Sequence, residues 1–547
     1  MGVSTPRSGE VLTQDKNASP TPVHTQAFKA SNDRPTAKAD RPRFYPRHTD
    51  LHNSEWRDAG RPRTWRACLD CAARQRAVRD RVRLHAFRRP LEEGLLVGDT
   101  IRCPWHHACF SLHTGEALRS PARDPVACWT VEQIDGIAYV RGKVSKAEKN
   151  SDSGAAQSPA SVVIVGGGAA GNAAAETLRR EGFAGSITIL SADASLPYDR
   201  TRLSKDYLAG EADEQATQLR TPDFYQQHRI AVELGVRVAS IDPTNRLVTL
   251  NDGSHRSYEA LLLATGAEAV QLDVPGAYLP HVHTLHTLAD SRAIVAMAAT
   301  ARHAVIIGAS FIGLEVAASL RARNIGVHVV GRETALMEPI LGTAIGTHMQ
   351  ALHTSHGVVF HLGTTATAID AQAVTLQNGE RLEADLVIVG IGVRPALALA
   401  EQAGLAVDRG VSVDEYMETS VPGIFAAGDI ARWPDPLSGK HIRVEHWVVA
   451  ERQGQVAARN ILGKRERFDA VPFFWTFQYD FGLSYIGHAE PFDSAELDGS
   501  LEQGDCTVTY RIGGQKLAVA VVQRETAGLQ AEVDFEEIIA SKRLAEG

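Results

Sequence analysis

The sequence lacks the features that mark membrane-spanning, nucleic-acid-binding and disulfide-rich proteins. Its six cysteines in 547 residues are too few for a disulfide framework, which indicates a reducing compartment. No apolar run is long enough to span a bilayer, and residues 1–20 have no apolar core of a signal peptide. The net charge of -8 gives no reason to expect nucleic acid or an anionic membrane as a partner. We therefore expect a cytoplasmic protein.

The composition fits a globular chain with several domains. A hydrophobic content of 44% and a charged content of 22% are ordinary for a folded protein. Residues 1–40 are polar and without period, which predicts a disordered tail. Residues 146–160 are poor in apolar side chains and rich in serine and lysine, which predicts a linker. The segment 41–145 becomes strand-like toward its end, which predicts a small all-β domain.

A glycine turn follows the first strong strand after the linker. Gly166, Gly168 and Gly171 form a GxGxxG pattern directly after the apolar run 162–165, and a helical stretch follows. The first glycine permits a sharp turn, the second lets backbone approach a pyrophosphate, and the third lets the helix pack closely. Asp193, near the end of the next strand, is a candidate acceptor for ribose hydroxyls. A turn that only tightens packing is the alternative, but the strand–turn–helix context favours a dinucleotide.

Two later segments extend this prediction to a flavin. The segment LLLATGA, which contains Thr265 and Gly266, is a strand that runs into a tight turn of small residues. The segment VPGIFAAGDIA places Asp429 just after a strand, where a carboxylate can hold ribityl hydroxyls. Each piece alone could be an ordinary turn. In this order and spacing they resemble the flavoprotein reductases with two dinucleotide-binding domains, and the resemblance implies FAD.

The glycine pattern recurs further along the chain with a serine in the middle position. It is formed by Gly308, Ser310 and Gly313. This second strand–turn–helix unit predicts an NAD(P)H site. The next strand ends at Gly331, where many members of the family carry an acidic residue that selects NADH. Glu333 could reach the ribose instead, whereas Arg332 could accept a 2′-phosphate, so NADH is favoured and NADPH stays open.

The stretch after the first turn indicates the branch of the family. It has no pair of redox cysteines, which argues against dithiol chemistry. The segment LPYDRTRLSKDYLAG instead resembles ferredoxin-reductase-type and apoptosis-inducing-factor-like flavoproteins. The resemblance implies that Arg200 and Lys205 lie against the flavin and that Lys205 forms a catalytic pair with Glu315. A cation there would favour the anionic reduced flavin, whereas without the motif both side chains would be taken for solvated surface charges.

Two further segments match the same family. The segment VEHWVVAERQGQ supplies Glu445, His446 and Trp447, and the segment PFFWTFQYD supplies Trp475. The resemblance implies that these residues contact the flavin and that the aromatic rings limit the access of water and oxygen. The family often has an acidic or amide residue where Phe477 stands, so this part of the wall departs from the pattern.

The N-terminal domain carries half of a metal-ligand motif. Cys103-Pro-Trp-His106 and the segments around it resemble the second half of a Rieske site, which binds [2Fe–2S] through two cysteines and two histidines. The first pair should lie before Pro90, with a cysteine at position 84 and a histidine at position 86. The chain has Leu84 and Ala86 there. Cys103 and His106 are therefore the metal-ligand candidates, and the ligand set is incomplete in the chain as written.

The composition around the missing ligands suggests an explanation. Fourteen arginines and no lysine occur between Arg41 and Arg89. Plausible GC-rich codons for the segment LHAFRR, read from their second base, give Cys-Thr-His-Phe-Gly-Gly, which restores the missing pair. We therefore hypothesise that about residues 40–88 are translated out of frame.

Two alternatives to the out-of-frame hypothesis remain open. In one, the reading frame is correct and the cluster has been lost. In the other, Cys68 and Cys71 form a zinc site with Cys103 and His106, although the long intervening stretch disfavours it. The other three cysteines are expected to be buried structural thiols, and they are Cys109, Cys128 and Cys506.

The predicted architecture is multidomain. A small all-β Rieske-like domain precedes an α/β flavoprotein with two Rossmann-like dinucleotide-binding domains, and a small α+β domain ends the chain. We expect the FAD-binding domain over 161–275 and 395–465, the NAD(P)H-binding domain over 276–394, and a C-terminal interface domain over 466–547.

The family resemblance implies an NAD(P)H-dependent flavoprotein reductase of the ferredoxin reductase type. It would pass electrons from NADH through FAD to an iron–sulfur acceptor, nominally its own Rieske domain, and then to a ferredoxin or another Rieske-type protein. The alternatives are an NADH oxidase and an apoptosis-inducing-factor-like redox-sensing flavoprotein. A monomer or a homodimer is expected.

Overall fold

A computed structural model describes residues 82–86, 91–134, 137–143 and 158–546. The predicted tail, most of the predicted linker and the pair Cys68 and Cys71 lie outside the described residues. So does nearly all of the segment proposed to be out of frame, of which only the backbone of residues 82–86 is described. These predictions therefore stay predictions.

The described part of the N-terminal module, residues 82–143, forms two small antiparallel sheets, which confirms an all-β domain. One sheet has the order β1-β6-β7 and the other the order β2-β3-β4-β5. Gly98, with φ +54, helps form the tight turn between β2 and β3, a conformation that side chains disfavour. The strands are β1 (Val82–Ala86), β2 (Leu95–Val97), β3 (Thr100–Arg102), β4 (Cys109–Ser111), β5 (Ala117–Arg119), β6 (Ala127–Ile134) and β7 (Ile137–Lys143), and a 3₁₀ helix spans Leu91–Glu93.

The next segment builds a parallel sheet of the order β10-β9-β8-β14, which a later strand, Ile424–Ala426, completes at one edge. Strands β8 and β14 are almost entirely buried, as expected for apolar runs covered on both faces. The strands are β8 (Ser161–Val165), β9 (Ser186–Leu190), β10 (Ile230–Glu233), β11 (Val238–Asp242), β12 (Leu247–Leu250), β13 (His255–Ser257), β14 (Ala260–Leu263) and β15 (Ala267–Ala269). The helices are α1 (Ala169–Arg180), α2 (Asp206–Ala209) and α3 (Pro222–Gln227), with 3₁₀ helices at Arg200–Arg202 and Glu214–Thr217.

A second parallel sheet, of the order β16-β23-β17-β18-β19, is built from residues 282–389. The chain enters and leaves this unit through β15 and β24, which pair antiparallel. The strands are β16 (Val282–Thr284), β17 (His303–Ile307), β18 (Gly326–Gly331), β19 (Val358–Leu362), β20 (Ala366–Ile369), β21 (Ala373–Leu376), β22 (Arg381–Glu383), β23 (Leu386–Val389) and β24 (Val393–Pro395). The helices are α4 (Leu288–Ala298), α5 (Phe311–Ala322) and α6 (Glu338–Ser355).

The chain then returns to the first sheet and ends in an α+β unit. Its last five strands form an antiparallel sheet of the order β29-β30-β33-β32-β31, against which the last helix packs. The strands are β25 (Val411–Ser412), β26 (Ile424–Ala426), β27 (Ala431–Pro434), β28 (His441–Ile442), β29 (Phe473–Gln478), β30 (Phe481–Gly487), β31 (Ser494–Ser500), β32 (Asp505–Ile512) and β33 (Gln515–Val522). The helices are α7 (Ala398–Gln402), α8 (Trp447–Ile461) and α9 (Glu525–Glu546).

None of the helices in the described ranges is both long enough and apolar enough to cross a bilayer.

Candidate functional site

The first glycine turn has the geometry of a phosphate-binding turn. Gly166 has φ +116, and a Cβ built on it would lie 2.1 Å from the Ala264 carbonyl oxygen, so no side chain fits. A Cβ on Gly171 would lie 2.0 Å from the Gly166 carbonyl oxygen, which explains the close packing of α1. A Cβ on Gly168 would meet no protein atom and would point into open space. The N-terminus of α1 therefore faces open space in which a ligand can closely approach the backbone.

This turn lines a cavity of about 1120 Å³. Most of the residues predicted to bind FAD line it, and they are Gly166, Gly168, Asp193, Arg200, Thr265, Gly266, Asp429, Glu445 and Trp447. Residues from β8, β14 and the N-terminus of α8 meet there because the carboxyl ends of parallel strands share one edge of the sheet. The cavity fits a long dinucleotide rather than a compact substrate.

Asp193 lies beyond the end of β9 and is held by two local donors. The Tyr198 hydroxyl donates to one carboxylate oxygen at 2.5 Å, and the Ser195 backbone N–H donates to the other at 3.0 Å. Burial raises the pKa of Tyr198 to about 12, so the phenol keeps its proton. The carboxylate still lines the cavity and can accept further hydrogen bonds from ribose hydroxyls.

Charged groups cluster where the cavity meets Asp429. Burial raises the pKa of Asp429 to about 6, Glu445 adds to the rise, and Arg200 and Arg443 oppose it. The Arg443 guanidinium pairs with Glu445 at 2.8 Å and donates to the Asp429 carbonyl oxygen at 3.0 Å. Asp429 and Glu445 therefore both lie at the place where ribityl hydroxyls are predicted, and Arg443 partly offsets their charge.

His286 lines the same cavity and was not predicted from the sequence. The Arg200 guanidinium donates to its Nε2 at 3.1 Å, which requires a neutral ring. Burial and then the charge of Arg200 lower the pKa of His286 to about 4, in agreement with that state. His286 lies in the loop before α4 and belongs to no motif, so the sequence carried no signal for it.

The structure contains the ion pair that the family resemblance implies. Lys205 Nζ lies 2.8 Å from the carboxylate of Glu315 and also donates to the Thr201 carbonyl oxygen at 3.0 Å. Ser204 donates to the same carboxylate at 2.6 Å, and Thr476 donates to its other oxygen at 2.8 Å. Glu315 is therefore buried, and both of its carboxylate oxygens accept hydrogen bonds. Ser204 and Thr476 were not predicted, although each lies next to a predicted residue in the sequence.

The second glycine turn repeats the geometry of the first. Gly308 has φ +114, and a Cβ on it would lie 2.3 Å from the Gly390 carbonyl oxygen. Ser310 caps α5 by accepting from the Gly313 backbone N–H at 3.3 Å and donates to the Gly390 carbonyl oxygen at 3.1 Å. Ile312, in the first turn of α5, lines the cavity of the first turn. The two nucleotide sites therefore adjoin at the start of this helix.

Glu333 fills the space that the missing side chain of Gly331 leaves. A Cβ built on Gly331 would lie 2.9–3.0 Å from the Glu333 carboxyl group. The carboxylate thus stands over the end of β18, although it comes from a residue further along the chain. Arg332 is exposed beside it.

Two predicted wall residues lie outside the lining of this cavity. His446 precedes α8, and its ring lies 4.7 Å from that of Phe474. Burial, with a smaller effect of His488, lowers the pKa of His446 to about 3, so the ring is neutral. The ring of Trp475 lies 4.5 Å from that of His106, edge to face. Trp475 therefore meets the N-terminal module.

The metal-ligand candidates Cys103 and His106 lie on a tight turn. The Cys103 backbone N–H donates to the Ala108 carbonyl oxygen at 2.8 Å, and the Cys103 carbonyl oxygen accepts from His107 at 3.1 Å. Within the described ranges, no group of three or more histidine, cysteine, aspartate or glutamate side chains could hold a metal ion. Among the described residues, only Cys103 and His106 match the Rieske ligand pattern, so those residues do not fit a complete [2Fe–2S] site.

Two known protein families match parts of this chain. The sequence pattern of the pyridine nucleotide-disulphide oxidoreductases matches residues 160–454. The chain belongs to the pyridine nucleotide-disulphide oxidoreductase family. The pattern of the Rieske [2Fe-2S] domain matches residues 84–130, which confirms the predicted nature of the N-terminal module.

Individual members of this oxidoreductase family support the same assignment. Apoptosis-inducing factor 3 of Homo sapiens is 33% identical over 449 residues, covering 79% of this chain and 74% of that protein. Rhodocoxin reductase of Rhodococcus erythropolis is 37% identical over 369 residues, covering 66% of this chain and 86% of that protein. The solved covalent complex of putidaredoxin reductase with putidaredoxin matches with a TM-score of 0.67 and 35% identity, covering 69% of this chain and 93% of that chain.

These likenesses confirm the predicted fold class and the predicted flavoprotein reductase. As a pyridine nucleotide-disulphide oxidoreductase, the chain is an oxidoreductase that uses FAD and NAD(P)H. The open space above Gly168, at the N-terminus of α1, fits the pyrophosphate of FAD. Bound FAD would supply hydride-accepting and single-electron chemistry here, and residues of the cavity such as Gly168, Asp193 and Asp429 would hold and orient it.

Proposed function

We propose that the chain oxidises NADH through FAD and passes the electrons to an iron–sulfur acceptor. The observation that carries this proposal is the junction at Glu315. Its carboxylate, on the helix that starts at the second glycine turn, holds Lys205 and Ser204 beside the FAD cavity. This contact ties the helix of the second glycine turn to Ser204 in the wall of the FAD cavity, which supports the proposed hydride transfer between the two sites.

The residues at this junction orient the cofactors and stabilise the negative charge of the reduced flavin. Lys205 supplies a fixed positive charge, and Glu315 keeps the ammonium in place through its bonds to Ser204 and Thr476. A cation in a partly buried site stabilises added negative charge more strongly than it would in water.

The electron donor is proposed to be NADH rather than NADPH. The Glu333 carboxylate stands at the end of β18, where it can accept hydrogen bonds from the ribose hydroxyls. It would repel a 2′-phosphate at the same place. Arg332 is exposed and does not fill that position.

The acceptor is proposed to be a ferredoxin or a Rieske-type protein. One support is that relatives at 33–38% identity include rhodocoxin reductase and the ferredoxin–NAD(+) reductase component of the anthranilate 1,2-dioxygenase system of Burkholderia cepacia. We further propose a cytoplasmic monomer or homodimer that binds neither nucleic acid nor membrane. The net charge of -8 supports the expectation that the chain binds neither nucleic acid nor an anionic membrane.

The test is anaerobic titration of the purified, FAD-loaded protein with NADH. We expect the flavin absorbance to bleach with one equivalent of NADH per flavin, and NADPH to be less effective. Absence of bleaching by either nucleotide would overturn the proposal.

A second candidate is an NADH oxidase or a redox-sensing flavoprotein. The match to apoptosis-inducing factor 3 favours it, because that match extends over 79% of this chain. Oxygen consumption faster than ferredoxin or cytochrome reduction would indicate an oxidase. Sizing chromatography with and without NADH tests sensing, and an unchanged elution volume would count against it.

A further inference from the structure

A buried carboxylate joins the N-terminal module to the rest of the protein. Glu532, on α9, is fully buried and pairs with Arg452 of α8 at 2.7 Å. From the module, His107 Nδ1 lies 2.9 Å from Glu532 and the Arg102 guanidinium lies 3.5 Å from it. Arg102 also pairs with Glu536 at 2.6 Å. We call these residues the Glu532 junction.

The Glu532 junction is not an incidental surface contact. Burial alone would raise the pKa of Glu532, but Arg452, His107 and Arg102 hold that pKa well below its usual range. Removing one partner from a buried ion pair strongly destabilises a protein, because it leaves a buried charge without compensation. Departure of the module would leave Glu532 with Arg452 as its only cation from this junction, so the charges oppose separation.

Further polar contacts surround the junction. Arg452 Nη2 donates to the His107 carbonyl oxygen at 3.2 Å, and the Ser120 backbone N–H donates to Gln455 at 3.2 Å. At the module's other end, Arg220 pairs with Asp124 at 2.9 Å. The module is thus fixed at several points on α8, on α9 and beside the FAD-binding sheet.

This docking covers one face of strand β29. The ring of His107 stacks on Phe473 at 4.1 Å, and the ring of His106 meets Trp475 at 4.5 Å. The next residue of the strand, Thr476, donates to Glu315 on the opposite face. A single strand therefore separates the turn of residues 103–107 from the Lys205–Glu315 pair.

We propose that the N-terminal module is a built-in occupant of the acceptor-facing surface of this reductase, clamped over β29 by the Glu532 junction. The inference rests on the proposed function and deepens it by naming the first partner of that surface. An external redox protein must displace the module to reach β29. Small acceptors do not need to displace it.

Hydrogen exchange on the full FAD-loaded chain tests the clamp. In the unchanged protein, peptides spanning 103–111 and 471–478 should both be protected. Glu532→Gln should accelerate exchange in both peptides together on the order of 100-fold, the scale set by loss of one partner from a buried ion pair. Arg102→Gln changes only the module and should have the same effect if Glu532→Gln does not fold. Arg524→Gln, which breaks an exposed ion pair of the C-terminal unit, is the control and should change neither peptide.

Acceptor kinetics supply the second readout. Undocking should raise the NADH-dependent reduction of cytochrome c about tenfold, because more of the molecules expose β29, and should leave ferricyanide reduction unchanged. Unchanged exchange in both variants, or undocking without faster cytochrome c reduction, would overturn the proposal. Bleaching of the flavin by NADH is measured separately, so its failure would overturn the proposed function rather than the docking.

Discussion

At the scale of single residues, the carboxylate of Glu315 joins the helix of the second glycine turn to Ser204, which lines the FAD cavity. The Lys205 ammonium is held there by an ion pair of 2.8 Å and by the Thr201 carbonyl oxygen. Because this charge is fixed before the flavin is reduced, it can stabilise the reduced form without reorganisation. We therefore expect the pair to act on the redox potential rather than on proton transfer.

Lys205→Gln should lower the midpoint potential of the bound flavin. Loss of one nearby positive charge removes about 1–3 kcal/mol of stabilisation from the anionic reduced state, or about 20–65 mV for a two-electron couple. A redox titration with an indicator dye measures the shift. Lys464→Gln, an exposed control, should leave the potential unchanged. An unaltered potential in Lys205→Gln would show that the ammonium does not act on the flavin.

Glu333→Gln should reduce the preference for NADH. A neutral amide loses the charge-assisted hydrogen bond to the ribose and no longer repels a 2′-phosphate, which corresponds to about tenfold in the ratio of kcat/KM values for NADH and NADPH. Steady-state rates with both nucleotides measure it. Arg332→Gln is the matched control and should leave the preference unchanged. If Arg332 held a 2′-phosphate, kcat/KM for NADPH would fall in that variant.

At the scale of secondary-structure elements, the crossing of α1 and α8 positions the FAD site. Helix α1 begins at the phosphate turn, and α8 presents Trp447 and Ala450 to the cavity. The helices touch at Gly454, where an added Cβ would lie 2.2 Å from the Ala170 carbonyl oxygen. Because this carbonyl oxygen belongs to the backbone, relief of the clash would require one of the two helices to move.

Gly454→Ala should destabilise the protein and weaken FAD retention. Separating the helices opens gaps in packing, and we expect a loss of about 3 kcal/mol or more in the free energy of unfolding. Gly463→Ala lies just beyond the same helix in open space, so it should lose only about 1 kcal/mol from its positive φ. Denaturant unfolding and the flavin-to-protein absorbance ratio compare the two. Equal effects would contradict the steric argument.

The sequence predicted these elements unevenly. The two strand–turn–helix units were readable because the first and the last glycine of each turn are dictated by a nearby carbonyl oxygen, as at Gly166 and Gly308. The contact of Gly454 with Ala170 was not, since it depends on how two distant helices cross. Likewise His286 enters the cavity from a loop without any pattern. Local backbone geometry leaves a signal in sequence, and tertiary packing of single side chains does not.

At the scale of the whole molecule, the N-terminal module and the flavoprotein are joined by groups that no local pattern could have paired. Arg102 and Glu532 lie 430 positions apart. The family resemblance predicted both halves of the protein but not their docking. The missing first ligand pair, by contrast, was visible in the sequence because Leu84 and Ala86 stand at the two positions.

The buried side chain of Glu451 makes the stability of the molecule depend on pH. It lies on α8 and is almost fully buried. Burial raises the pKa of Glu451 to about 8, Arg123 of the module opposes the rise, and Asp199 and Glu176 add to it. In the unfolded chain a glutamate has a pKa of about 4.3. The folded state therefore holds an extra proton between these values, and raising the pH through this window lowers the free energy of unfolding.

Glu451→Gln should remove this pH dependence. A neutral amide has no ionised form to bury, so at pH 9 the variant should have a Tm about 3–5 °C above that of the unchanged protein, whereas at pH 5 the two should agree within about 1 °C. Differential scanning fluorimetry at both pH values measures the difference. Glu537→Gln, on the exposed face of α9, should match the unchanged protein at both. A difference in Tm that is the same at pH 5 and pH 9 would mean that the substituted amide acts through packing rather than through the lost ionisation.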